Sequence, residues 1–364
     1  MKGFKIIFLI VIISLSQSVA AQYFGENKVC YEKFDFTISS SPHFDIYNYL
    51  DNDKLLLSLN KQMENWYIRH YSIFGENTNN NAIIIYNNKP DFKQTNVISG
   101  LIGVGTGGVT EGFRKRIIMP LFTSNKEVNH VIGHELVHVF QYNMMKESDS
   151  LSLKSLQNTP LWMVEGLAEY MSLGSTHNKT AMWMRDAVYH NDIPSIKDMT
   201  RRPNEYFPYR YGHAFWAFLT GMYGDRIIQP FFYNTACYGM KKSVKNLFHI
   251  SLDSLSCLWQ SSIEEGFGKY IINNSPPVGK QPFNKNRLEN INILPVLSPN
   301  GKKLAFLSNK NVISIDVLIA DLESGEISNE LTKPVTKAHI DDYNFIESAG
   351  SWSPDGKKYV MTSI

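Results

Sequence analysis

Cysteine is nearly absent from this chain of 364 residues: there are three, Cys30, Cys237 and Cys257. An odd, sparse set excludes a disulfide framework, and none of the three has zinc-ligand spacing. Cys237 and Cys257 are open to two readings, a pair in an oxidising compartment or buried free thiols. An excess of either charge is also missing. Lys+Arg number 36 and Asp+Glu 34, for a net charge of +2. That gives no support to a nucleic-acid-binding face or to an acidic solvating tail. Beyond the first residues no apolar run reaches the length of a membrane-spanning helix. What is present is 43% hydrophobic residues, enough for two domains with their own cores, and 13% aromatics, which read as packing.

The chain starts with Lys2 and Lys5 ahead of the apolar run Ile6 to Leu15, followed by small residues at Ser18, Ala20 and Ala21. This is the layout of a secretory signal peptide over residues 1–21, with cleavage after Ala21. The expected destination is periplasmic, cell-surface or extracellular. No stable membrane span is expected to remain after cleavage.

The densest chemistry lies in Val131-Ile132-Gly133-His134-Glu135-Leu136-Val137-His138-Val139-Phe140. On a helix, His134 and His138 share a face and present two imidazoles to one point. Two such nitrogens make half of a tetrahedral zinc site, and Glu135 is placed to act as general base toward a metal-activated water. Val128, Val131, Ile132, Leu136, Val139 and Phe140 recur at helical spacing, and Ser124-Asn125-Lys126-Glu127 reads as a capping box. An unpaired imidazole within so apolar a helix is costly, and a metal satisfies it.

Around that helix the pattern predicts a mixed architecture. Val29 to Ile38 and His43 to Tyr49 read as two strands forming a hairpin. Asp51 caps a helix that runs to about Phe74, with Leu55, Leu56, Leu59, Met63, Trp66 and Ile68 on its apolar face. Ala82 to Tyr86 is a buried strand that Lys89-Pro90-Asp91 breaks. Gly100 to Gly112 is glycine-dense, but a nucleotide loop is not expected, since Gly108 leads into a strand and no Walker lysine follows. Arg116 to Leu121 is a strand offered as the edge that pairs with extended substrate, or as an ordinary core strand. Pro160 opens a helix through Tyr170. Further helices cover Met182 to His190, Tyr211 to Tyr223 and segments onward to Phe267. His43 reads as structural and His130 as solvent-facing.

Composition changes near residue 275, where Asn273-Asn274-Ser275-Pro276-Pro277-Val278-Gly279 reads as a linker. Beyond it Ser298-Pro299-Asn300-Gly301-Lys302-Lys303-Leu304 recurs as Ser353-Pro354-Asp355-Gly356-Lys357-Lys358-Tyr359. A Pro-Asx-Gly turn leading into a strand, repeated at such a period, signals propeller blades. One blade and the start of another do not close a propeller, so a truncated one is expected.

The third metal ligand decides the class. Gln141 and Met144 stand where a metzincin needs Gly and His. Glu165 and Glu169 lie four apart on a downstream helix and share a face. His134-Glu135-x-x-His138 with Trp162-x-x-Glu165-Gly166-x-Ala168-Glu169-Tyr170 resembles the gluzincin metallopeptidases, the group that includes thermolysin and the zinc aminopeptidases. The resemblance spans roughly residues 80 to 270. It implies Glu165 as third ligand and Glu169 as the acid behind a zinc histidine. It also implies an oxyanion donor at Tyr209, from the Tyr-x-x-Gly match Tyr209-Arg210-Tyr211-Gly212, with Tyr211 and His213 as competitors. Gly108-Val109-Thr110-Glu111-Gly112 matches the aminopeptidase amine-binding signature only loosely. The tail resembles TolB-like repeats.

The expected fold is therefore α+β. A gluzincin-like domain over residues 22–274 has a small N-terminal sheet and a mainly helical C-terminal part. A linker (275–286) and an incomplete all-β propeller segment (287–364) follow. The expected function is a secreted peptidase with one Zn2+ per chain, catalytic Glu135 and Tyr209, metal ligands His134, His138 and Glu165, and Glu169 behind them. Its partners are a peptide or protein substrate and, for the propeller, a protein or glycan. The alternative is a non-catalytic cell-envelope binding protein that uses the peptidase fold as a scaffold.

Overall fold

The structure, a computed structural model, describes residues 31–75, 80–97, 102–103, 105–112, 114–147, 150–270, 292–311, 314–328 and 350–361. The expected signal peptide, Cys30 and the expected linker lie outside these residues. The chain divides into two compact units, Tyr31–Pro277 and one that contains Val278–Ile364. The first is a mixed α+β unit, mainly helical after its sheet. No helix among the described residues is long and apolar enough to cross a membrane.

The first unit opens on a five-stranded sheet of β1 (Thr37–Ser40), β2 (Phe44–Asn48), β3 (Asn81–Tyr86), β4 (Val109–Glu111) and β5 (Arg116–Pro120), in the order β1-β2-β3-β5-β4. β1 and β2 form the expected antiparallel hairpin, whereas β2, β3 and β5 run parallel. Parallel neighbours need a crossover. Helix α1 (Asp53–Phe74) supplies it between β2 and β3. Alternation sorts the side chains by face. Phe44, Ile46, Ile83, Ile85, Ile117 and Met119 join the main core with the helices. Ile84, Tyr86, Val109 and Ile118 join a second cluster with Phe34, Phe36, Tyr49 and Phe92.

Several expectations shift here. Residues 31–36 form no strand; the alternation of Phe34 and Phe36 reflects burial, since Phe34 stacks on Tyr49 at 5.0 Å and Phe36 meets Tyr86 edge-on at 5.7 Å. The α1 cap is Asn52, whose side chain accepts from Leu55 N, and not Asp51. Ile68 is exposed, because the buried stripe runs through Leu59, Met63, Trp66, Tyr67, His70 and Phe74. Lys89–Lys93 forms a short helix, α2, with Asn88 as cap. The 116–121 strand is not an edge: β5 lies between β3 and β4, and the sheet's edge strands are β1 and β4.

The helix that carries His134, Glu135 and His138 is α3 (Asn125–Met144). Ser124 is its N-cap residue but makes no side-chain cap bond, so the expected capping box does not form. A short ladder of β6 (Lys146–Glu147) with β7 (Ser150–Leu151) turns the chain into α4 (Leu153–Asn158) and α5 (Leu161–Leu173), with Pro160 at the α5 N-cap. Next come α6 (Asn178–Tyr189), α7 (Ile196–Arg201) and α8 (Pro208–Tyr223). α7 was not read from the sequence, although Ser195 and Asp198 form a full capping box there. After a 3-10 turn at Asp225–Ile227 come α9 (Ile228–Tyr238), α10 (Met240–Phe248) and α11 (Leu252–Gly268). Cys237 and Cys257 are free thiols, and Cys257 is exposed.

One helix crossing sets the geometry of the site. Gly166 on α5 and Gly212 on α8 meet backbone to backbone. A Cβ on Gly166 would lie 2.2 Å from the Gly212 carbonyl carbon, and one on Gly212 would lie 2.0 Å from the Trp162 carbonyl oxygen. No side chain fits, so the backbone contact between the two helices requires glycine at both positions. The contact fixes Glu165 and Tyr209, each next to or one turn from these glycines, against each other.

The second unit holds a four-stranded antiparallel sheet of β8 (Asn292–Leu297), β9 (Lys303–Asn311), β10 (Ser314–Asp321) and β11 (Ile327–Ser328), in the order β11-β10-β9-β8. β12 (Ser351–Trp352) pairs with β13 (Tyr359–Val360). The two sequence repeats adopt one structure. In both, the first serine N–H bonds the second lysine carbonyl at 2.8 Å, and the Asx side chain accepts from the first lysine N–H. Gly301 and Gly356 hold φ of 72° and 67°. No closed barrel or propeller occurs among the described residues.

Candidate metal centre

Helix α3 presents its histidines as the spacing predicts. His134 and His138 are both buried, and Glu165 from α5 reaches between them. Glu165 Oε2 lies 3.3 Å from His134 Nε2 and 3.5 Å from His138 Nε2. These separations are long for hydrogen bonds, and Glu165 Oε2 is buried without one. Ligand atoms about 2.0–2.1 Å from a tetrahedral zinc lie roughly 3.3 Å apart. Three buried donors aimed at one point with that spacing, two imidazole nitrogens and a carboxylate, fit a zinc ion.

Electrostatics agree with that fit. Burial by itself raises the Glu165 carboxyl, but the two imidazoles reverse it and hold it well below the usual carboxylate range. Burial opposes charge on His134 and His138, yet the adjoining carboxylates prevail, and both are raised. The three side chains thus share protons where a cation would sit.

Both histidines have polar partners behind them. His138 Nδ1 donates to Gln141 Oε1 at 2.8 Å, and Gln141 Nε2 donates to Val164 O at 2.9 Å. Gln141 therefore fixes the His138 tautomer and ties α3 to α5. Behind His134, Glu169 Oε1 lies 3.2 Å from Nδ1. Glu169 also faces His130 Nε2 at 3.3 Å and bonds Arg210 Nη1 at 2.6 Å. The expectation of a solvent-facing His130 is corrected: it is half-buried and faces a buried carboxylate. His43 is structural as expected, bonded to Glu64 at 2.6 Å and stacked on Tyr67.

Glu135 is buried beside the ligands, and Thr110 Oγ1 on edge strand β4 lies 2.8 Å from its Oε2. The base candidate thus touches edge strand β4. Tyr209 stacks on His134, with ring centroids 5.8 Å apart and planes within 11°. Burial first, then Glu165, push its pKa far up, so the hydroxyl keeps its proton. Of its competitors, Tyr211 packs against Trp183 and Tyr206, and His213 Nε2 bonds the Gly174 carbonyl. Sequence reasoning missed Gln141, Thr110 and Arg210 as parts of this site. Only Gln141 left a signal, a polar residue one turn past His138 on an apolar helix.

The His134–His138–Glu165 group, with the further carboxylate of Glu135 beside it, is thus a set of donors that could hold a metal ion next to an edge strand. Residues 103–222 match the sequence model of a family described as a peptidase of plants and bacteria, which supports a peptidase domain in this part of the chain. That span contains every site residue named above. No curated protein matches the chain.

Proposed function

We propose that this protein is an exported zinc-dependent peptidase of gluzincin type. The convergence of His134 Nε2, His138 Nε2 and Glu165 Oε2 on one buried point, with Glu135 alongside, carries the reading. His134, His138 and Glu165 would hold one zinc ion. When bound, it supplies a Lewis acid that acidifies water and polarises a peptide carbonyl. Glu135 takes the proton of the attacking water on its carboxylate and delivers it to the leaving amine. Tyr209, which stays protonated, donates to the oxygen of the carbonyl as negative charge develops there. Glu169 and Gln141 orient the two ligand imidazoles. The free edge of β4, above Glu135, pairs with the extended substrate backbone.

The lysine-flanked apolar start of the chain supports export. The two structurally matched Pro-Asx-Gly turns support TolB-like propeller repeats in residues 287–364, with a protein or glycan as their partner. The test is cleavage of a mixed unstructured peptide pool by the full chain, with products read by mass spectrometry. Cleavage is expected to vanish on chelation and return with zinc. A folded, zinc-loaded chain that cleaves nothing would move the weight to a binding protein built on this scaffold.

A further inference from the structure

Two three-residue clusters able to hold a cation share one imidazole. His134, His138 and Glu165 form the first; His130, His134 and Glu169 form the second, through the other ring nitrogen of His134. In the second, Glu169 Oε1 faces both His130 Nε2 and His134 Nδ1, at 3.3 and 3.2 Å. By donor set and spacing the two are equivalent. They differ in their surroundings. The carboxylate of Glu169 is 4% exposed, and its other oxygen is bonded by the Arg210 guanidinium at 2.6 Å. Arg210 is itself mostly buried, and its Nη1 also faces His177 Nδ1 at 3.4 Å. Burial, with Arg210 next, lowers the His177 pKa, so this ring is a neutral acceptor and adds no competing cation.

We propose that Arg210 is a positioning residue that closes the second cluster to cations and thereby makes the site mononuclear. A guanidinium is charged at every accessible pH and carries its own hydrogen-bond donors. Fixed on Glu169 Oε2, it supplies the positive charge that a metal on Oε1 would bring, and it repels one. Glu169 is left to serve His134: its Oε1 stabilises the Nδ1 proton, so that the Nε2 lone pair points toward His138 and Glu165. Arg210 reaches this position because the Gly166–Gly212 contact lays the first turn of α8 over α5. His130 is the spare ligand of the closed cluster. The inference rests on the metal reading of the first cluster, and the experiment separates the two.

The full chain is stripped of metal and titrated with zinc against a chromophoric chelator, and with cobalt followed by its d–d absorption. The wild-type protein is expected to bind one equivalent. Arg210→Met is expected to bind that equivalent about tenfold more weakly and to take up a second, which displaces the Nδ1 proton of His134 to solvent so that the ring bridges the two ions as an imidazolate, and which Arg210→Met with His130→Phe loses again. Arg210→Lys keeps the charge and is expected to stay at one equivalent; it also serves should Arg210→Met fail to fold. One equivalent at wild-type affinity in Arg210→Met, or two in Arg210→Lys, would overturn the proposal. A wild-type chain that binds no zinc or cobalt would instead overturn the metal reading itself.

Discussion

His70 gives the fold a pH dependence that can be worked from the structure. It is fully buried on α1, donates from Nε2 to the Gly133 carbonyl at 2.8 Å, and has no partner at Nδ1. Burial drives its pKa from 6.5 down to about 4, with Arg69 adding to the shift and the Gly133 bond opposing it. Above pH 6.5 the ring is neutral in both folded and unfolded chains. Between pH 6.5 and 4 the unfolded chain takes up a proton that the folded chain refuses, so stability falls as pH falls. At roughly 1.4 kcal/mol per pKa unit, His70 removes about 3 kcal/mol across that window. His70→Gln keeps a donor and cannot titrate. Urea unfolding followed by tryptophan fluorescence at several pH values from 7.5 to 4 measures both proteins. The gap between them is expected to narrow by about 3 kcal/mol as the pH drops, since only the wild type carries this penalty. Parallel curves would refute the reasoning, because they would mean that His70 protonates as freely in the folded chain as in the unfolded one.

Other tests address the site. Gly212→Ala places a methyl 2.0 Å from the Trp162 carbonyl oxygen. It is expected to cost about 3 kcal/mol in denaturant unfolding, at the high end for overpacking; an unchanged midpoint contradicts the helix contact. Tyr209→Phe is expected to lower kcat by about 10²–10³-fold with zinc content unchanged, and a KM effect alone would count against an oxyanion donor. The His134 and His138 pKa values are raised in the metal-free protein, so zinc has to displace protons. Apparent zinc affinity is therefore expected to rise with pH through neutrality, and calorimetry in buffers of different ionisation heat is expected to show proton release. Identical heats in every buffer would contradict it.

The parts of the site visible in the sequence are those set by position along one helix. His134 and His138 follow from helical spacing, and Glu165 and Glu169 from the same rule on α5. Tyr209 comes only from the resemblance to the Tyr-x-x-Gly motif of the zinc aminopeptidases; in the structure the glycine of that motif, Gly212, is the one in backbone contact with Gly166. The partners Thr110, Arg210 and His130 were not legible in these roles. Each meets its carboxylate only because a strand or helix distant in sequence is laid across α3 or α5, and no periodicity encodes that. The sheet shows the same limit. Its strands were legible from alternation, but which of β4 and β5 is the edge depends on how the β4–β5 hairpin turns, and the sequence there is glycine-dense without a defined turn signal. Local ambiguities account for the rest. Asp51 and Asn52 are both good caps one position apart, and Phe34 and Phe36 alternate like a strand while serving only as a lid on the sheet.

The most direct measurement is the turnover of Glu135→Gln beside wild type on one cleavable peptide, with zinc counted in both. Glutamine keeps the shape of Glu135 but cannot accept the water's proton. The account predicts one zinc per chain in each protein and a fall in kcat of at least about 10²-fold in the variant. Unchanged cleavage by zinc-loaded Glu135→Gln would contradict the account.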